Sequence, residues 1–483
     1  MQQRQTNSNF NQNNPKFKTR IDTRRLRYLR NGDLKENENG IGPVVYWMKR
    51  DQRMENNWSL LYAQDLAINN NTQLIVVFNF VKSFINALPR HYLFMIQGLQ
   101  ELEIVLKSKN ISFFVTIGNP DKTIVDFVNR INASILITDF SPLHENVSWN
   151  TNVSRKIKIP FHECDSHNIV PPWIVTDHQM YMALHFRKKI YEVLDDFLVD
   201  FPAVKTMSLD NMKYIFEQTN WNEITNEILS SLKKEPSEYD YSKWKPGSKA
   251  AMLNIKDFFK NRLPGYSKNR NDPSLNQISH ASIWMHYGHI SAQKIALMSL
   301  KYKEKYPEDF ESFFEELVVR RELAENFCFY NPKYNKFEGL PDWAKETLYQ
   351  HKNDHRPYYY SLKQLEKFNT HDPLFNAAMK EMIYLGKMHG FMRIYAFKKI
   401  LEWSETPEEA YNNSLYLHNK YSLDSRDCNC YAGVGFIFGL HDQPWAERDI
   451  YGKVRYLSYE GCKRKFNIDA YIERVNKETK INS

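Results

Sequence analysis

Cysteine is scarce. Cys164, Cys328, Cys428, Cys430 and Cys462 are the only five thiols in 483 residues, too few and too scattered for a disulfide framework. Cys428 and Cys430 form a C-x-C pair with no second pair at zinc spacing, so no metal site is expected. No apolar run approaches the roughly 18 residues of a membrane span, and no secretory leader opens the chain. The expectation is an intracellular, reducing location: the nucleus if the source is eukaryotic or a virus of a eukaryote, otherwise the cytoplasm. Also missing are a G-x-G-x-x-G, a P-loop, an internal repeat, and any evident nucleophile or acid–base pair. Aromatics, by contrast, are plentiful at 14%, with 10 Trp, 29 Tyr and 30 Phe. That suits either a flat ring ligand or a large core. The formal charge of +8 permits a polyanionic partner without requiring one. With 42% hydrophobic and 25% charged residues, the chain is neither disordered, collagenous nor membrane-embedded, and its length suits two large domains or three ordinary ones.

Residues 1–42 read as an unstructured arm. Gln and Asn dominate positions 2–14, and Lys16, Lys18, Arg20, Arg24, Arg25, Arg27 and Arg30 follow. Such a run is a solvated tail, a nuclear-import signal or a nucleic-acid arm. From 43 to 170, strand patterns (43–48, 73–80, 111–117, 133–138) alternate with helical ones (57–68, 90–107, 121–131). Alternation of this kind predicts βαβ units around a parallel sheet. Pro171 and Pro172 open a linker, set at 171–205. Helical periodicity then covers 181–197, 209–233, 282–305, 310–327, 373–400 and 408–420. The fold class is therefore α/β followed by all-α, with the helical domain at 206–483.

Three constellations in the second half carry chemistry. The loop from Gly265 to Ser291 is rich in Asn, Arg, Asp and Ser and leads into a helix; with Arg270 nearby it reads as an anion or pyrophosphate site, or as an ordinary capped helix. In 386–403, Lys387, His389 and Arg393 interrupt an apolar helix and need partners, which Asp424 and Asp427 could supply as a structural or a catalytic tie. In 445–465, Arg448, Lys453, Arg455, Lys463, Arg464 and Lys465 interleave with Tyr451, Tyr456 and Tyr459. This suits a surface that tracks a nucleic-acid backbone, or a solvated charged face.

VVYWMKRDQRMENNWSLLYAQ (44–64), HNIVPPW (167–173), the RNDP loop with HYGHISAQ (286–293), EELVVRRELAENFC (315–328), DPLFNAAMKEM (372–382), GKMHGFMR (386–393) and YGKVRYLSYEGCKRKFNIDAYI (451–472) occur in this order. Together they resemble the class II cyclobutane pyrimidine dimer photolyases of the photolyase/cryptochrome superfamily. The resemblance implies a Rossmann-like α/β antenna domain and a helical domain holding FAD. It also implies light-driven electron transfer from reduced FAD to a pyrimidine dimer flipped out of UV-damaged DNA, by a monomer with no membrane attachment. A deazaflavin or folate antenna is a further implied cofactor. By position, Tyr266, Arg270 and the turn Ile278, Ser279, His280, Ala281, Ser282 match the FAD-phosphate region. Arg393 and Asp424 match the ion pair beside the isoalloxazine ring, and His418 or Asn419 the position near flavin N5. Arg320, Lys387 and Asp427 complete the expected cofactor set. Glu316, next to Glu315, matches the carboxyl that binds the dimer, and Phe436, Trp445, Lys453 and Arg455 match the DNA-gripping region. Trp403 belongs to an electron-hopping set.

The chain also departs from that pattern. Phe375 and Ala396 stand where the hopping tryptophans usually are, and Phe436 where a Trp usually flanks the dimer. Ile394 replaces a Met, and Cys428-Asn429-Cys430 changes the turn beside the flavin. The alternative to a repair enzyme is accordingly a cryptochrome-like flavoprotein that binds DNA or partners without efficient repair.

Overall fold

The computed structural model describes residues 19–37, 40–210, 212–214 and 218–479. Six strands form the main sheet, in the spatial order Leu26–Arg30, Phe161–Cys164, Ile135–Asp139, Val44–Met48, Leu74–Phe80 and Ser112–Ile117. The first pairs antiparallel and the other five are parallel. The parallel strands are nearly continuous apolar runs because both faces are covered. Val44, Tyr46, Met48, Leu74 and Val76 face one core, while Val45, Trp47, Ile75 and Val77 face the other. Helices Trp58–Asn69, Pro89–Lys107, Pro120–Arg130 and His144–Lys156 supply the covers. The order in which strands are added reverses between the parallel neighbours Val44–Met48 and Ile135–Asp139: the strands that follow each in sequence lie on opposite sides. Ligands enter α/β sheets at the carboxyl ends of such a strand pair.

The basic stretch before this sheet is not an arm, at least from residue 19 onward. Leu26–Arg30 is an edge strand paired with Phe161–Cys164. Arg25 is 1% exposed and donates to the carbonyls of Asp165, Asn168 and Ile169. Arg20 bonds Asp65 and Arg27 bonds Glu163. A charge run that meets carbonyls and carboxylates folds as readily as a polar one; the sequence shows the charges but not their partners. The Gln/Asn run, Lys16 and Lys18 lie outside the described residues.

The domain boundary also differs from expectation. The segment called a linker contains helices Pro172–Val175 and Ala183–Phe197. Val204, Met207, Trp221 and Ile228 pack into the α/β core, and Trp221 Nε1 donates to Glu103 at 2.6 Å. The chain thus returns across the first domain before entering the helical one. Of the helix expected over 209–233, Trp221–Ser230 is helical, while 211 and 215–217 lie outside the described residues.

Two long helical patterns are broken at glycines. The 282–305 pattern becomes Ser282–His286 and Ala292–Ser299. Gly288 between them has φ +68°, and a Cβ there would meet the Arg50 carbonyl at 2.2 Å, so the bare glycine lets the loop after strand Val44–Met48 dock on the helical domain. The 373–400 pattern splits into Pro373–Leu385 and Gly390–Trp403 at Gly386, φ +71°. The 310–327 pattern runs as Pro307–Phe314, a π-helical turn Glu315–Arg320, and Arg321–Tyr330. Such turns insert a residue into a helix and recur at functional sites.

Candidate functional site

The break at Gly386 takes Lys387 out of the helical ladder and aims it at Asp424, in the turn after helix Pro407–Tyr421. Lys387 Nζ lies 2.8 Å from Asp424 and also bonds Ser282 Oγ. Arg393, in the first turns of Gly390–Trp403, reaches the same carboxylate at 3.1 Å, and Ser282 Oγ donates to it at 2.7 Å. Four residues chosen from sequence, Ser282, Lys387, Arg393 and Asp424, therefore meet at one point. Burial alone would raise the Asp424 pKa, but Arg393 and Lys387 overcome it and hold the carboxyl well below its ordinary range. Burial pushes Lys387 down, against the pull of Asp424.

His418 and Asn419 sit on the adjoining helix and divide the work. His418 Nε2 is 4.0 Å from Asp424, and its Nδ1 meets Cys430 Sγ at 3.1 Å. Burial, followed by the Arg393 charge, pushes His418 well below the usual imidazole range, so it is neutral. Asn419 Oδ1 instead accepts from the Arg426 N–H at 3.1 Å and from Cys430 Sγ at 3.4 Å.

Several polar atoms around this carboxylate are buried and have no hydrogen-bond partner: Arg393 Nε, His418 Nε2, His280 Nδ1 and His389 Nε2. Leaving such a group unsatisfied costs about 1–3 kcal/mol. Their convergence on the Lys387–Asp424–Arg393 cluster fits a polar ring ligand that would satisfy them. The turn Ile278–Ser282 is buttressed from behind: Arg262 donates to the Ile278 carbonyl at 2.6 Å, and Asn254 to that of Ser279 at 2.7 Å. His280 within it has φ +55° and stands 5.1 Å from the Trp244 ring.

Other expected members fall elsewhere. Arg270, beside Tyr266, pairs with Glu316 at 2.8 Å, so the presumed phosphate ligand and the presumed lesion ligand hold each other. Glu315 is engaged by Arg187 and Arg320, which leaves Glu316, 41% exposed at its side chain, as the more available carboxyl of the π turn. Arg320, the last residue of the π turn, is exposed and pairs with Glu315 at 3.1 Å, and has no contact with Asp424. Asp427 does not partner Lys387, His389 or Arg393. It caps helix Cys428–Ile437 and lies 3.2 Å from Arg50 and 3.6 Å from His286.

That second network went unseen in the sequence. Arg50 bridges Glu325 and Asp427, while Asp51 binds Arg53 and His167. It clamps the loop after strand Val44–Met48 onto the helical domain. Its available signal was the charged run Lys49–Arg53 directly after an apolar strand. His167, Glu325 and Asp427 bring ligand atoms within 4.8 Å of one another, but the Arg50 guanidinium already supplies their cation.

The basic C-terminal segment forms a compact face. Arg455 binds Asp442 at 2.9 Å and lies 4.4 Å over the Trp445 ring and 5.6 Å from Phe436. Trp445 is 46% exposed, and the Lys453 side chain is also exposed. Trp403 is 1% exposed and touches Tyr360, His371 and Phe375 at ring distances of 5.0–5.3 Å. Ala396 is fully buried.

The sequence model described as DNA photolyase matches residues 44–206. A deoxyribodipyrimidine photo-lyase of Arabidopsis thaliana is 42% identical over 465 residues, which span 93% of this chain and 92% of the relative. Among solved structures, a bacterial class III photolyase from Agrobacterium tumefaciens superposes with a TM-score of 0.72 at 18% identity, covering 93% of this chain and 90% of that one. An archaeal photolyase from Sulfolobus tokodaii, solved with two FAD molecules, gives 0.65 at 16% identity, covering 91% of each chain. The two solved structures share the fold; the 42% identity to the Arabidopsis protein, which spans 93% of this chain and 92% of the relative, places this chain in the DNA photolyase family.

Proposed function

We propose that the protein repairs cyclobutane pyrimidine dimers in DNA in a light-driven reaction with reduced FAD, as a class II enzyme. The observation that carries this is the single carboxylate Asp424 shared by Lys387, Arg393 and Ser282, with unsatisfied polar atoms around it. The two FAD molecules of the archaeal neighbour and the name of the plant relative support it. Bound there, FAD would supply one electron to the dimer and take it back after the ring opens.

The chain's own residues bind and orient. Asp424 holds Arg393 through Nη2, which leaves Nε for a ligand to engage, and neutral His418 presents an unpartnered Nε2 near the same carboxylate. Of the two candidates near flavin N5, His418 is the better placed, because the side-chain oxygen of Asn419 is engaged by the Arg426 turn. Glu316 and the Phe436–Trp445–Arg455 face would receive the dimer and the DNA backbone. A damaged, weakly stacked pair leaves the duplex more cheaply than an intact one. Chemically reduced protein, given a dimer-containing oligonucleotide under near-UV or blue light, should restore the pyrimidines. Tight dimer binding with no restoration under illumination would refute repair and leave a cryptochrome-like binder.

A further inference from the structure

Cys430 stands in the turn Cys428-Asn429-Cys430, where the chain departs from its family's pattern. It lies in the first turn of helix Cys428–Ile437, which Asp427 caps, and its backbone N–H donates to the Asp427 carbonyl at 2.9 Å. Its side chain is 1% exposed and meets helix Pro407–Tyr421. There Sγ lies 3.1 Å from His418 Nδ1 and 3.4 Å from Asn419 Oδ1. His418 is fully buried. Its other ring nitrogen, Nε2, has no hydrogen-bond partner among the described residues and sits 4.0 Å from Asp424. The bond made at Nδ1 decides which nitrogen carries the ring proton, and so whether Nε2 offers the site a donor or an acceptor.

Counting protons leaves two arrangements. Burial pushes the Cys430 thiol up to about 12, so it keeps its proton, and burial keeps His418 neutral with a single N–H. In the first arrangement the thiol donates to Nδ1, and the ring proton is on Nε2. In the second the thiol donates to Asn419 Oδ1, and the Nδ1 N–H donates to sulfur. Three things favour the first. Sulfur is a weak acceptor, whereas the unprotonated nitrogen of a neutral imidazole is an ordinary one. Asn419 Oδ1 already accepts from the Arg426 N–H at 3.1 Å. Nε2 faces a carboxylate, which in a dry interior attracts an N–H and repels a lone pair. At 4.0 Å that carboxylate is too distant to accept a hydrogen bond itself, so the donor stays available.

We propose that Cys430 is a positioning residue: its thiol holds His418 in the form protonated at Nε2, which makes the orphaned atom a hydrogen-bond donor toward the occupant of the Asp424 site. With the unpartnered Arg393 Nε it gives the site two donors, which suits a ring edge of unprotonated nitrogen or carbonyl oxygen. The inference rests on the reading of that site as the flavin's, with His418 near N5. Flavin N5 accepts a hydrogen bond when oxidised and carries a hydrogen when fully reduced, so a donor at Nε2 favours the oxidised form.

The test uses the full-length protein as purified with its flavin. The thiol S–H stretch falls in an infrared window clear of other protein bands, and donation lowers its frequency. Cys430→Ser should delete one lowered band, and His418→Leu should move that band up. Nitrogen NMR of isotope-labelled histidine should show His418 Nδ1 unprotonated and Nε2 protonated, and it decides the question in the parent if His418→Leu does not fold. One neutral hydrogen bond is worth about tenfold, so Cys430→Ala should favour reduced flavin about tenfold, a rise of about 30 mV in the two-electron midpoint potential. Cys430→Ser, whose hydroxyl also donates, should stay within about threefold of the parent. A band that His418→Leu leaves in place, or a proton found on Nδ1, overturns the proposal. So does a measurable potential shift of equal size in Cys430→Ala and Cys430→Ser, which would mark the thiol as packing alone. The expected band and nitrogen pattern with no potential shift in Cys430→Ala would sustain the proposal and sink the placement of flavin N5 beside His418.

Discussion

Replacing Asp424 by Asn tests the centre of the site, because one carboxylate serves two cations. Lys387, 9% exposed at its side chain, faces it at 2.8 Å, and Arg393, 20% exposed, at 3.1 Å. The substitution preserves volume but leaves a buried ammonium without a counter-charge, at a cost of about 3–5 kcal/mol. Arg393→Met is milder, since Asp424 keeps Lys387 and Ser282; it should cost about 1.5–3 kcal/mol, the range for one hydrogen bond to a charged group. The sharpest consequence is a change of sign. Lys387→Met should destabilise the parent, yet in the Asp424→Asn background it should be neutral or stabilising, because it removes the stranded charge. Urea midpoints followed by tryptophan fluorescence for the four proteins, with flavin content after purification, measure this. An equal cost for Lys387→Met in both backgrounds, or Arg393→Met as damaging as Asp424→Asn, would show that the shared carboxylate is not what organises the site.

Photoreduction of oxidised flavin in the purified protein should be slow, since Phe375 and Ala396 offer no readily oxidised ring between Trp403 and the site; Trp403→Phe should then change blue-light bleaching with an external thiol hardly at all, and marked slowing would reveal a working relay. Restoring the relay by Ala396→Trp is not a neutral change, because Ala396 is fully enclosed and overpacking such a site costs about 1–3 kcal/mol or more. Binding to dimer-containing DNA should weaken with salt, and Lys453→Ala should reduce the log–log slope by about 0.9. Arg455→Ala should also disorder Trp445, because Arg455 stacks on that ring and ties it to Asp442; an unchanged slope for Lys453→Ala would put the backbone elsewhere. Burial pushes the His162 pKa down to about 4, so the folded state refuses a proton that the unfolded chain takes below about 6.5. Its contribution is whole above that pH and is lost at about 1.4 kcal/mol per pH unit as pH falls toward 4. His162→Gln should flatten the fall in Tm between pH 7 and 5, and an identical fall would assign acid sensitivity to other groups.

The sequence by itself determined the local order: apolar runs doubly buried as parallel strands, helices at the 3.6-residue period, and the residue types at 282, 387, 393 and 424. Those signals are local or lie in contiguous motifs, so they survive in one dimension. The tertiary structure decided which charge meets which. Arg50 finds Glu325 and Asp427 across 275 and 377 positions, and nothing in the chain near residue 50 encodes either. Asp424 and Asp427 were equal candidates by residue type, yet Asp427, as the cap of the following helix, turns toward Arg50 and leaves Asp424 to hold Lys387 and Arg393. The basic residues at 20–27 looked like a tail for the same reason: their partners at 65, 163 and 165–169 are brought near only when the sheet closes. Charge pairing depends on distance in space and on exclusion of water, and neither exists until the fold has formed.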